Sequence, residues 1–205
     1  MELTSLQLDT VREVINMGVG RAAGILNKMF SSRIKLQVPF VKVLSSEELI
    51  KEIDDGLHEN ISSVNLSFKG EFSGLAKLIF PTESAAKLVT AFIEEETDEE
   101  DMDEIRSATL AEIGNIVLNS LMGSIGNTLK LRINYSTPTY LEDRIEQLLS
   151  IRKAEVEPMS MLARTRFSIE DLDITGDFVL LFEIGSLRNF LKMIDDYVKD
   201  LEGES

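Results

Sequence analysis

The chain has no cysteine and a single histidine among its 205 residues. Disulfides, thiolate metal sites and thiol catalysis are thereby excluded, and the lone histidine makes a histidine metal cluster or a Ser/His triad implausible. His58 itself lies in the polar run DDGLHEN and reads as a surface side chain. Aromatic residues make up 6% of the chain, too few to line a sugar-binding cleft. Cations are scarce as well: 21 Lys and Arg face 36 Asp and Glu, for a formal net charge of −15. Such a balance disfavours nucleic acid and anionic membranes as partners, since binding phosphate backbones needs Lys and Arg. No apolar run approaches the roughly 18 residues needed to span a bilayer. The opening MELTSLQLD has neither a basic region nor an apolar core of the secretory kind, so the expectation is a soluble, cytoplasmic protein.

What the chain does have is an ordinary hydrophobic share, 43%, enough to build a core without metals or crosslinks. One composition break interrupts it, the acidic stretch EEETDEEDMDE at residues 94–104, which reads as a solvated connector. It separates halves of about 1–95 and 104–205, and the halves resemble each other. With an offset of 99 residues, Thr10, Glu13, Asn16, Gly24, Arg33, Ile34 and Pro39 match Thr109, Glu112, Asn115, Gly123, Arg132, Ile133 and Pro138 without a gap. Farther on, Gly74 and Phe80 match Gly176 and Phe182 at an offset of 102. An internal duplication accounts for this pattern.

Each half then carries the same series of elements. Long helices are predicted over 6–30 and 104–129, strands over 34–43 and around RINYSTPTY, and short helices over 46–54 and 141–150. Two further strands follow in each half, within 60–80 (broken at Gly70 and Gly74) and within 159–184, before closing helices over 82–94 and 186–200. Partial apolar–polar alternation suits sheets covered on one face. Pro39 and Pro138 cannot donate to a strand ladder, which places them at an edge or a kink. The fold class is α+β: one domain of 1–205 with pseudo-twofold symmetry, a central sheet and two long helices.

Advancing 100° per residue from Val11 places Val14, Ile15, Gly18, Ala22, Ile25, Leu26 and Met29 within about 60° of it, toward a core. Asp9, Glu13, Asn16, Gly20 and Asn27 fall on the opposite side. The same construction from Leu110 turns Ile113, Gly114, Val117, Leu121, Ile125 and Thr128 inward and Glu112, Asn115 and Asn119 outward. Each Glu thus stands beside an Asn one turn on, exposed. Glu on such a face is routine, but Asn is a mediocre helix former that no structural need calls for there. Its recurrence at the same step from Glu and from Pro points to function.

An amide neither ionises nor attacks at neutral pH, yet it donates and accepts at once, which is enough to orient a water. A side-chain amide does this in phosphoryl transfer by GTPases. A neighbouring carboxylate can pair with a partner's cation. The chain shows no nucleophile, metal cage or phosphate cradle. NMGVGRAAG (16–24) spaces its glycines inside a helix rather than after a strand, so it is no dinucleotide fingerprint. A glycosidase reading of Glu13 and Glu112 would need carboxyl groups roughly 5–9.5 Å apart, whereas the repeat puts them on separate helices. Each Glu–Asn pair is half a site, completed by a partner that brings the phosphate and Mg2+.

Asp9, Glu13, Asn16 and Pro39 fit the motif of the CheC/CheX/FliY family of chemotaxis phosphatases: an acidic or Ser residue, three residues, Glu, two residues, Asn, twenty-two residues, Pro. Glu112, Asn115 and Pro138 fit it again, with Ala108 at the first position. EVINMGVGRAAGILNKM also resembles the family phrase EIGNIGAGNAATALS, and two motif copies without a flagellar-switch domain are closest to the CheC type. The resemblance implies a CheC-like fold and hydrolysis of the phospho-aspartate on the response regulator CheY. Asn16 and Asn115 would orient the attacking water, and Glu13 and Glu112 would anchor the regulator. It further implies no cofactor on this chain, Mg2+ on the regulator, and the deamidase CheD as a second partner. The alternative is a non-catalytic adaptor that binds CheD or a response regulator.

Overall fold

A computed structural model describes residues 3–30, 33–54, 61–91, 99–143, 160–169, 172–182 and 185–203. Helix α1 (Ser5–Phe30) starts on a reciprocal cap. The Gln7 N–H donates to the Thr4 hydroxyl at 3.2 Å, and the Thr4 N–H donates to the Gln7 side-chain carbonyl at 3.0 Å. Two donors that the first turn would leave orphaned are satisfied in this way. Ser45 and Glu48 make the same exchange at the start of α2 (Ser46–Asp54). Between these helices runs β1 (Ile34–Leu44), and the hairpin β2 (Ile61–Lys69) and β3 (Gly74–Pro81) leads into α3 (Thr82–Thr90). The second half comprises α4 (Glu99–Thr128), β4 (Asn134–Tyr135), β5 (Thr139–Asp143), β6 (Ser160–Ile169), β7 (Leu172–Phe182) and α5 (Ser186–Gly203).

All strands join one antiparallel sheet in the order β1-β6-β7-β3-β2, closed on the β2 side by β4 and β5 together. Each half therefore lends its outer strand to the hairpin of the other half. The two edges match in detail. On β1 the register against β6 shifts between Gln37 and Phe40, which brackets Pro39. On the far edge β4 and β5 sit one residue out of step along β2, and Pro138 falls in the break between them. A residue without an N–H is tolerated at such irregular edge positions. At the centre, a Cβ on Gly74 would lie 2.1 Å from the Leu181 carbonyl oxygen, and one on Gly176 would lie 3.2 Å from that of Ile79. Glycine lets β3 and β7 approach at both places.

Alternation along the strands splits the interior in two. Val64, Leu66, Phe68, Leu78, Phe80 and Phe178 join α1, α3, α4 and α5 in the larger core. Phe68, Phe72, Phe182 and Phe190 pack there with ring centroids 5.1 to 6.4 Å apart, a spacing at which tilted aromatic pairs attract. On the other face Leu49 and Ile53 of α2 cover Ile61, Ile79, Leu162, Val179 and Leu181. Two polar clusters on that face are paired, whereas the buried Ser160 hydroxyl has no partner among the described residues. Arg164 donates to Asp177 at 2.8 Å and to the Glu52 carbonyl at 3.0 Å, and Lys77 donates to Asn65 Oδ1 at 2.8 Å. Burial pushes the Asp177 carboxyl pKa up, against the pull of Arg164.

Several expectations need correction. Residues 141–143 of the expected helix 141–150 belong to β5, where Leu141 pairs with Ser63 and Glu142 with Ser62. The β2 ladder claims that backbone, and Arg106 grips Glu142 at 2.9 Å. The acidic stretch is not all connector, since α4 begins at Glu99; carboxylates near a helix N-terminus favour its dipole. Ile25 and Met29 were expected to be inward, yet they are 48% and 51% exposed. Contact between α1 and α4 is made at Val14 and Gly18, and these two side chains lie about two and three turns beyond it. His58, the remaining parts of 94–98 and 144–150, and residues 92–94 of the closing helix lie outside the described residues. No helix among the described residues is long and apolar enough to cross a membrane.

Candidate functional site

The two motif helices lie against each other. Ser124 donates its hydroxyl to the Val14 carbonyl at 3.1 Å, and a Cβ on Gly18 would meet Leu121 Cα at 2.8 Å and Ser120 O at 3.0 Å. Contacts at rising numbers on α1 fall at descending numbers on α4, so the helices run antiparallel. Gly18 is what permits this approach, because the crowding atoms of Leu121 and Ser120 are backbone. On the sheet side, Gly114 seats α4 on β2: a Cβ there would lie 2.5 Å from Val64 Cβ.

This packing decides where the Glu–Asn pairs point. At 100° per residue Asn16 is about 160° around α1 from both Val14 and Gly18, and Asn115 is about 140–180° around α4 from Ser120 and Ser124. Each amide thus occupies the flank of its helix turned away from the other helix. The four candidate residues do not converge into one cleft; they form two separate pairs. Glu13 and Glu112 are exposed, and Asn16 and Asn115 are half-buried at the edge of the helix surface. Neither Glu has a hydrogen-bond or ion-pair partner among the described residues, and neither does Asn16.

The surroundings are unusually flat for a helix. A Cβ built on Gly20, Gly24 or Gly123 would meet nothing within 4 Å, so the exposed Gly20 and Gly24 and the half-buried Gly123 leave bare backbone that another surface could approach closely. Met17, 41% exposed, and Leu6 stand on the same side of α1 as Glu13. The first pair also has a charged neighbour: Arg12 meets Asp9, the motif's leading residue, at 3.6 Å across one turn. The Arg12 Nε is buried with no hydrogen-bond partner. At the second pair Ala108 and Ala111 stand in the corresponding places, and Asn119 donates its side-chain N–H to Asn115 Oδ1 at 2.5 Å. The sequence showed Asn119 on the outward face but gave it no role; its four-residue step from Asn115 is the helical-neighbour spacing that would have flagged it. Among the described residues no group of three or more His, Cys, Asp or Glu side chains is placed to share a metal ion.

Chemically, each pair offers an anion able to meet a cation and an amide able to hold a water. It offers nothing able to bind or attack a phosphate by itself.

Comparison with known proteins gives consistent matches. Residues 62–155 match the family described as chemotaxis phosphatase CheX. The chain is 30% identical over 147 residues to the CheY-P phosphatase CheC of Bacillus subtilis, covering 70% of each sequence. Among solved structures, Thermotoga maritima FliY superposes with a TM-score of 0.72 at 20% identity, over 98% of this chain and 99% of that one. A chain of the CheX–CheY–BeF3–Mg2+ complex from Borrelia burgdorferi gives a TM-score of 0.54 at 19% identity, over 84% of this chain and 99% of that one.

Proposed function

The chain belongs to the CheC/CheX/FliY family of chemotaxis phosphatases, and from that premise we propose that it hydrolyses the phospho-aspartate of a CheY-type response regulator. One regulator docks on the flank of α1 and another on that of α4. Glu13 or Glu112 pairs with a cation of the docked regulator, fixing the helix over the acyl phosphate. Asn16 or Asn115 then holds a water in line with the phosphorus. The water oxygen bonds to phosphorus as the bond to the aspartate oxygen breaks, leaving inorganic phosphate and a free carboxylate. Mg2+ stays with the regulator, whose phosphate it neutralises.

The observation that carries this reading is the orientation of the pairs. Both stand on outward flanks, and each has an unpartnered carboxylate beside an amide on a smooth helix surface. An adaptor that merely bound CheD or a regulator would have no use for the amide.

The test is decay of a phosphorylated CheY-type receiver domain with the wild-type chain, Asn16→Ala, Asn115→Ala and the double variant. Removing one preorganised contact of this sort costs about 2.7–4 kcal/mol of barrier, roughly 100- to 1,000-fold in rate. Two sites act in parallel, so a single variant keeps the whole contribution of the other site, about half the rate if they are equal. Only the double variant shows the full fall. Acceleration that survives in the double variant overturns the assignment. A wild-type chain that binds the receiver without speeding decay leaves the adaptor reading in its place.

A further inference from the structure

The two sites are copies in their Glu and Asn but not in the next turn of helix. Four residues after Asn115 stands Asn119, exposed, with its Nδ2 donating to Asn115 Oδ1. Four residues after Asn16 stands Gly20, which has no side chain to offer. The half-buried Asn16 amide thus has no such tether on its terminal bond, a broad torsion with little intrinsic preference. The Asn115 amide is tethered.

We propose that Asn119 is a positioning residue for the second site: it holds the Asn115 amide in one orientation and so makes that site intrinsically faster than the first. This rests on the phosphatase reading above. The hydrogen bond occupies one lone pair of the Asn115 carbonyl oxygen. Its second lone pair and both amide hydrogens remain available for a water. Donation into the oxygen also polarises the amide, strengthening its own N–H groups as donors. An amide already oriented loses less freedom when the water is fixed in the transition state, so the gain falls on turnover rather than on docking. Asn119 need not touch the regulator's phosphate for this to work.

The sites are separated by silencing one at a time. In an Asn16→Ala background only the second site works, and there Asn119→Ala lowers kcat by about two- to ten-fold, the range of one net hydrogen bond, with KM for the phosphorylated receiver unchanged. Asn119→Asp keeps the shape but removes the donor and lowers kcat at least as far. Asn119→Gln keeps a donor and restores part of the rate. Unfolding does not mimic this result, since alanine favours an exposed helix position over asparagine.

The reciprocal variant adds the missing group to the first site. In an Asn115→Ala background Gly20→Asn raises kcat, and a side chain fits there because a Cβ at Gly20 meets no atom within 4 Å. Unchanged kcat in Asn119→Ala and Asn119→Asp, or a change confined to KM, overturns the positioning role. Failure of the underlying phosphatase reading looks different: the Asn16→Ala/Asn115→Ala double variant would then retain the wild-type rate, whatever occupies position 119.

Discussion

Gly114 lies between Glu112 and Asn115 but faces the sheet, and its replacement tests how α4 is seated. A Cβ at Gly114 would lie 2.5 Å from Val64 Cβ and Cγ2 and 2.6 Å from Cγ1. Carbon atoms in good contact sit at about 3.5–4.0 Å, so Gly114→Ala must lift α4 off β2 by roughly 1 Å. Rotating Val64 gives no relief, because its own Cβ is among the crowded atoms. Overpacking of this kind costs about 1–3 kcal/mol, offset by about 1 kcal/mol as alanine replaces glycine in a helix. The expected net effect is a loss of up to about 2 kcal/mol, or about 2–4 °C in Tm per kcal/mol for a chain of this size. A double-mutant cycle with Val64 isolates the clash. The penalty of Gly114→Ala shrinks in a Val64→Ala background, which removes Cγ1 and Cγ2, and reverses to a gain in a Val64→Gly background, which removes Cβ too. Urea unfolding followed by far-UV circular dichroism suits the measurement, as the chain has no tryptophan to report by fluorescence. Equal penalties in all three backgrounds, with a coupling below about 0.5 kcal/mol, would refute the seating described above.

Two further predictions concern positions away from the motifs. Burial without a carboxylate partner among the described residues lowers the pKa of Lys77 from 10.5 to about 8. Between those two values the unfolded chain binds more protons than the folded one, so stability rises with pH by up to about 3 kcal/mol across the window. Lys77→Met flattens that stretch of the curve of urea midpoint against pH; an unaltered slope would count against the burial of an ammonium. Lys130 closes α4 at a φ of 55°, a left-handed conformation in which the Leu131 N–H bonds the Gly126 carbonyl at 2.7 Å. Lys130→Gly relieves the Cβ strain and raises stability by about 0.5–1 kcal/mol, seen as a higher thermal midpoint; a lower midpoint would show that the lysine side chain supplies more than its backbone conformation costs.

Local features were read correctly from sequence because local chemistry writes them. Gly70 and Gly74 mark the turn between β2 and β3, and the reach of α1 and α2 follows from helical periodicity. Where the reading failed, the deciding partner was distant. Leu141 to Asp143 have a helical look in isolation, but they complete a ladder with Ser63, Ser62 and Ile61. Ile25 and Met29 satisfy an ideal helical wheel, but a wheel has no knowledge of where a crossing helix makes contact. The outward placement of Glu13 and Glu112 was legible from the 100° step alone. That the two amides face away from each other was not, since it depends on α1 and α4 running antiparallel with Gly18 at their contact.

The sheet order explains how two such sites can share one small protein. An outer strand is the weakest part of a sheet, with one row of backbone groups unpaired. Here β1 is held by β6, from the second half, while β4 and β5 are held by β2, from the first. Neither half could keep its own edge strand if the other were removed, so the halves fold as an interlocked pair. The Asn27 side chain ties α1 to the start of β1 by accepting the Ile34 N–H, and Arg106 ties α4 to β5 through Glu142. Each motif helix is thereby fastened to an edge strand that the opposite hairpin secures. Both flanks carrying a Glu–Asn pair are left clear, and the interlock fixes the angle between them. Under the proposed phosphatase reading, two bulky regulators would approach such diverging surfaces without competing for the same space, which a single cleft built from both pairs would forbid.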